Sequence, residues 1–148
     1  TTYNVLPYKF EAGTPNYVGS YAFGKAIEYV QTIGLENIAT HEHALAEYIE
    51  EELSKISQVR VYAAKQPKAG AVSFNVYRAD GVLIHPFDVG VLLDRQGVAV
   101  RTGHHCAEPL IDYLGVPGTV RASVGMYNTK EDIDTFIAAL KKAIMMLE

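Results

Sequence analysis

Val72, Phe74 and Val76 alternate with polar residues, and so do Val120, Ala122 and Val124, so each run has the period of a strand with one buried face. Val59 and Val61 form a shorter apolar run before the first of these. The turn segment Gln66-Pro67-Lys68-Ala69-Gly70 separates the two, which predicts an antiparallel pair. Val98 to Arg101 reads as a third strand and Val120 to Val124 as a fourth. An apolar sheet face must be covered, and in this chain only helices can cover it.

The sequence between and around the strands has the helical period. Phe23, Ile27 and Val30 predict a helix over 17–33, with Gly34 in the position of its C-terminal cap. Ile38, Leu45, Ile49, Leu53 and Ile56 predict a second over 35–57. Glu47, Glu50, Glu51 and Glu52 lie mainly off that stripe and read as a solvated face rather than a metal site. His85-Pro86-Phe87-Asp88 opens a third helix that ends by Gly97, with His85 in a structural role. Residues 107–114 form a short fourth helix with Pro109 in its first turn. Asn128 and Thr129 open the last one, Glu131 and Asp132 suit its first turn, and Ile133, Phe136, Ile137, Leu140 and Ile144 supply its buried stripe. The fold class that results is α+β: a small two-layer domain, 1–148, with a mostly antiparallel sheet of three to four strands packed against helices.

Composition narrows the function classes. The chain has 148 residues, 49% of them hydrophobic, enough for one buried core, and no stretch approaches the roughly 20 apolar residues of a membrane span. The net charge is −4 and the 13 basic residues form no stripe, so nothing points to nucleic acid or to an anionic membrane. A single cysteine forms no internal disulfide. The first residues carry no secretory pattern, and a cytoplasmic setting is the expectation.

That cysteine, Cys106, closes the segment Arg101-Thr102-Gly103-His104-His105-Cys106. A thiol is a strong nucleophile only as thiolate, and a nearby imidazolium, guanidinium or helix N-terminus favours that form. The sequence allows all three influences here. A lone cysteine can instead be a small buried hydrophobe, but two histidines after a glycine read as a polar loop between strand and helix. Three adjacent side chains rarely converge on one tetrahedral centre, so a zinc site is not expected. Strand alternation puts Arg121 and Ser123 on the face opposite Val120 and Ala122. Arg121 is then either a solvent-facing strand arginine or a fork that binds a carboxylate bidentately, and Arg101 could serve the same anion. Gly13 and Thr14, just before the first helix, offer an amide and a hydroxyl that could meet a phosphate; a plain loop explains them equally well.

Together, Phe-Glu-Ala-Gly-Thr-Pro-Asn at 10–16, Asp88-Val89 with Leu92-Leu93-Asp94, Val-Arg-Thr-Gly-His-His-Cys-Ala at 100–107 and Arg-Ala-Ser-Val-Gly-Met-Tyr-Asn-Thr at 121–129 resemble the C-terminal part of cysteine desulfurases. These are class V aminotransferase-type enzymes of pyridoxal-phosphate fold type I, and the likeness is greatest to the group II, SufS-like branch, which includes selenocysteine lyases. It covers essentially the whole chain in the family's order and spacing.

The resemblance implies a small C-terminal domain, with 1–16 as an interdomain, cofactor-side segment, of an enzyme that converts L-cysteine to L-alanine. The sulfur would remain on Cys106 as a persulfide and pass to a sulfur-acceptor protein for iron–sulfur cluster assembly. Arg121 would hold the substrate carboxylate, with Arg101 lining the same pocket, and His104 and His105 would shape the loop. Thr14 with Gly13 would reach across a homodimer interface to the phosphate of pyridoxal 5'-phosphate in the other subunit. None of the lysines present stands in the family's Schiff-base context, so the large cofactor domain is expected outside this chain, and residues 1–148 alone are expected to be inactive. Selenocysteine lyase, a stand-alone sulfur carrier using Cys106, and a non-catalytic domain of the same shape are the alternatives.

Overall fold

In the computed structural model, which describes residues 2–148, the elements run in the order α1 (Tyr17–Ile33), α2 (Leu35–Ser54), β1 (Val59–Val61), β2 (Ala71–Tyr77), β3 (Leu83–Ile84), α3 (Pro86–Asp94), β4 (Arg101–Gly103), α4 (Glu108–Leu114), β5 (Thr119–Ser123) and α5 (Lys130–Leu147). They fall into two compact units, residues up to Leu35 and Glu36–Glu148.

The first unit is α1 with the irregular segment before it. Asn16 caps the helix, its Oδ1 accepting from the Gly19 amide at 2.9 Å, and Gly34 follows it at φ 92°. The apolar period seen in the sequence does form a helix, but among the described residues none on α1 is buried. Tyr21 and Phe23 are exposed on it, and Tyr3 and Phe10 meet edge to face at 5.7 Å in the preceding segment.

The second unit carries the sheet. Its order is β1-β2-β5-β4, every pairing is antiparallel, and β3 pairs with the end of β2. Val72, Phe74 and Val76 of β2 and Val120 and Ala122 of β5 face one way, into a core shared with Leu45, Ile49 and Leu53 of α2, Val89 and Leu93 of α3, and the Ile133, Phe136, Leu140 stripe of α5. Phe74 and Phe136 meet at 5.9 Å in a tilted pair. Helices α2, α3 and α5 thus form the second layer, as expected of an α+β domain. At Gly90 an added side chain would come within 2.6 Å of the Thr102 methyl, so α3 packs closely on β4 there and a larger residue would force Thr102 to turn.

Three details differ from the sequence reading. The ladder strand β4 is Arg101–Gly103, not Val98–Arg101, because Val98 and Val100 pack against the core while the residues in register with β5 begin at Arg101. Helix α2 stops at Ser54, and Ile56 enters the core from a tight turn in which its amide donates to the Leu53 carbonyl at 3.1 Å. The two-residue strand β3 adds a fifth strand to the sheet.

Candidate functional site

By strand alternation, the face of the sheet turned away from the core carries Ser73 and Asn75 from β2, Thr119 and Arg121 from β5, and Arg101 and Gly103 from β4. The register sets Arg121 between Ser73 and Arg101, and Thr119 opposite Gly103. Two guanidinium groups on directly opposed residues repel unless something negative lies between or beside them. Arg121 Nε is buried and has no hydrogen-bond partner among the described residues. A buried N–H of this kind is expensive to leave unmatched, and an anion supplies the missing acceptor.

The loop after β4 brings the thiol to this place. Cys106 is exposed, and Arg101 Nη2 donates to its Sγ at 3.7 Å. His105 and Cys106 both adopt left-handed backbone angles, φ 55° and 58°. Each such residue costs about 1–2 kcal/mol when it carries a side chain. Two in succession persist only where the surroundings hold them. The hold comes from both flanks: the Ala107 amide donates to the His104 carbonyl at 2.9 Å, and His105 Nε2 lies 3.1 Å from the Thr119 carbonyl and 2.9 Å from its hydroxyl. Cys106 then immediately precedes Ala107, the N-cap of α4, which has no side-chain capping bond.

The three histidine and cysteine side chains therefore diverge. His104 points toward Glu108, Nδ1 to Oε1 3.8 Å, on an exposed surface where such a pair contributes little. His105 is turned to Thr119, and Cys106 faces Arg101. Burial lowers the His105 pKa below its ordinary 6.5. The hydrogen bond to Thr119 opposes that shift, and the charges of Arg121 and Arg101 add to it. Of the cations that the sequence allowed beside the thiol, the structure brings the Arg101 guanidinium, whereas His105 is neutral at neutral pH.

Gly13 and Thr14 belong to the N-terminal unit, in a bend ahead of α1, where both are exposed and a side chain at Gly13 would have open space. Two residues at the site were missed in the sequence. Thr119, almost wholly buried, anchors His105; its signal was its place two residues before Arg121 on the same strand face. Asn75, fully buried, was passed over as the polar partner in an alternating run, although a polar side chain that far inside a strand needs bonding partners of its own.

Comparison with known proteins finds relatives along nearly the whole chain. A probable cysteine desulfurase of Halalkalibacterium halodurans is 46% identical over 96% of this chain and 34% of its own length. The cysteine desulfurase of Cronobacter sakazakii is 45% identical over 95% of this chain and 33% of its own. Among solved structures, apo cysteine desulfurase from Thermococcus onnurineus NA1 superposes with a TM-score of 0.85 at 40% identity, covering 95% of this chain and 34% of that one. A cysteine desulfurase of Escherichia coli gives 0.84 at 34% identity, covering 96% of this chain and 34% of that one. The chain thus spans about a third of the length of the relatives it matches. The family model for class-V aminotransferases matches residues 1–136, nearly the whole sequence, and the chain belongs to that family.

Proposed function

We propose that this chain supplies the sulfur-accepting part of the active site of a pyridoxal-phosphate-dependent cysteine desulfurase. One observation carries the reading: an exposed Cys106 thiol held by Arg101, on the sheet face where Arg121 has a buried, unmatched N–H. Relatives named cysteine desulfurase support it.

The residues divide the work by chemistry. Arg121 takes the α-carboxylate of L-cysteine in its planar fork, and Arg101 lies close enough to share the anion and to orient the Cys106 sulfur. Cys106, as thiolate, attacks the substrate sulfur. The substrate carbon–sulfur bond breaks with its electron pair going to carbon, and a sulfur–sulfur bond forms. Proton uptake at that carbon completes L-alanine, and Cys106 is left as a persulfide for a sulfur-acceptor protein. His104 and His105 shape the loop.

The cofactor fits what this chain offers at its edge. Thr14 and Gly13 are exposed, with open space around Gly13, so a hydroxyl and an amide are accessible to a phosphate, and in the family's arrangement they would serve the partner subunit of a homodimer. When bound, pyridoxal phosphate supplies an electron sink for the amino-acid carbons. Its Schiff-base lysine is assigned to the remainder of a longer protein, as are most of its contacts. A cytoplasmic role in iron–sulfur cluster assembly completes the proposal.

The test is mass spectrometry of the protein carrying this chain after incubation with L-cysteine and pyridoxal phosphate. One added, reducible sulfur on the Cys106 peptide is expected, together with L-alanine. Sulfur gained at Cys106 only when a separate, active desulfurase is added would favour a stand-alone sulfur carrier, and alanine formed without sulfur on Cys106 would remove the acceptor role.

A further inference from the structure

We propose that Asn75, which does not touch the thiol, is a positioning residue for the Cys106 loop, acting through the Gly118–Thr119 backbone and His105. The inference rests on the proposed function only in taking Cys106 as the reactive group.

The connection is continuous. Asn75 Nδ2 donates to the Gly118 carbonyl at 2.9 Å, a buried bond, and to Tyr62 Oη at 3.1 Å. A carbonyl can only accept, so the amide orientation is fixed by Gly118. That carbonyl belongs to the peptide joining Gly118 to Thr119, and Thr119 holds His105 through both its carbonyl and its hydroxyl. His105 is the residue before Cys106. Gly118 also sits against the other root of the loop: a side chain there would stand 3.0 Å from Gly103 Cα. Asn75 therefore fixes the peptide that leads into Thr119, one peptide before the carbonyl that His105 meets.

Two further features argue for positioning over simple stability. Asn75 Oδ1 is buried without a partner, and Asn75 itself has 0% exposure. A buried acceptor left unmatched is unfavourable, and an apolar side chain of similar size would avoid that cost. What such a side chain would lack is the donor to Gly118. At the other end of the chain of bonds, His105 Nε2 lies between the Thr119 carbonyl, which only accepts, and the Thr119 hydroxyl, which can donate or accept; a proton on Nε2 satisfies the carbonyl and leaves the buried, unpartnered Nδ1 as a bare acceptor rather than a stranded N–H. The ring's proton balance thus depends on how Thr119 is presented to it, and Asn75 holds the peptide that enters Thr119.

The experiment uses the full-length protein that carries this chain, comparing it with Asn75→Leu and with the smaller, β-branched Asn75→Thr, either of which suffices if the other does not fold. Hydrogen exchange is followed at the Ala107 amide, inside the loop, and at Leu140 and Ala143, in the core of α5. Nitrogen chemical shifts of labelled histidine report the His105 tautomer. Loss of one buried hydrogen bond is expected to speed Ala107 exchange about fivefold and to shift the His105 tautomer balance. A merely structural role would lower protection at Leu140 and Ala143 without moving an amide that exchanges by local opening. Unchanged Ala107 exchange and an unchanged His105 tautomer balance in a folded variant would overturn the proposal. Neither readout depends on turnover, so a failure here is distinct from failure of the desulfurase reading.

Discussion

Gly118→Ala is expected to destabilise the chain by about 2–4 kcal/mol, although it adds only a single methyl group, at a buried position just before β5. At φ +154° the backbone of Gly118 lies where an L side chain is strained, at a cost of about 1–3 kcal/mol. The added carbon would stand 3.0 Å from Gly103 Cα and 3.2 Å from its carbonyl carbon and oxygen, inside the roughly 3.5–4.0 Å optimum for non-bonded atoms. Those atoms are backbone, so no rotamer change relieves the overlap; β4 and β5 must part where Gly103 is in register with Thr119. Overpacking of this kind costs about 1–3 kcal/mol, and the restricted unfolded chain returns only about 0.4–1 kcal/mol. Gly97→Ala is the control: its φ is +80°, yet a side chain there meets nothing within 4 Å, so it carries strain without collision, about 1–2 kcal/mol. Urea unfolding followed by far-ultraviolet circular dichroism measures both, provided the slope is unchanged between variants. If Gly118→Ala lost no more stability than Gly97→Ala, the close seating of the two strands beneath the Cys106 loop would be wrong.

Three other outcomes follow from the same geometry. Arg121→Lys keeps the charge but loses the fork, and should raise the KM for L-cysteine about tenfold or more; steady-state kinetics showing an unchanged KM would remove Arg121 from the carboxylate site. Because burial lowers the His105 pKa, the neutral form is the one the fold favours. Its contribution is complete above about pH 6.5 and is lost as the pH falls below that toward the folded value. Denaturation series between about pH 7 and 5 should therefore show a decline that His105→Gln reduces. Leu140, at 0% exposure in the α5 stripe, should cost about 2.7–5 kcal/mol on truncation to alanine, measured by the same urea method; a loss below about 1 kcal/mol would mean that α5 is not packed as described.

The helices were legible because period and punctuation agree. Thr129 caps α5 with Asp132 in a reciprocal capping box, and the five residues of its apolar stripe are all buried, joined by Ala139 and Ala143. The antiparallel pairing of β1 with β2 was legible in their apolar runs and the turn segment between them, whereas the pairing of β2 with β5 joins residues far apart in the chain and had no such local sign. The limit of β4 was not, since Val98 and Val100 satisfy an apolar run without joining a ladder, and partner register is a property of the other strand. A two-residue strand such as β3 has no period to read. At the site, residue type and order pointed to Cys106, Arg101 and Arg121. They could not reveal that His105 would turn to Thr119 instead of the thiol, because that depends on two consecutive left-handed residues and on an anchor fourteen positions away. Asn75 was hidden for the same reason: its bond to Gly118 joins residues 43 apart.

The central claim is that sulfur leaves L-cysteine by way of Cys106. A single-turnover, rapid-quench experiment on the pyridoxal-phosphate-loaded protein that carries this chain tests it most directly, with L-alanine and the Cys106 persulfide measured in the same samples. The account predicts that both form at one rate and in equal amounts, and that Cys106→Ala yields no protein-bound persulfide while its circular dichroism is unchanged. Alanine released at full rate by Cys106→Ala, or a persulfide that trails alanine, would contradict it.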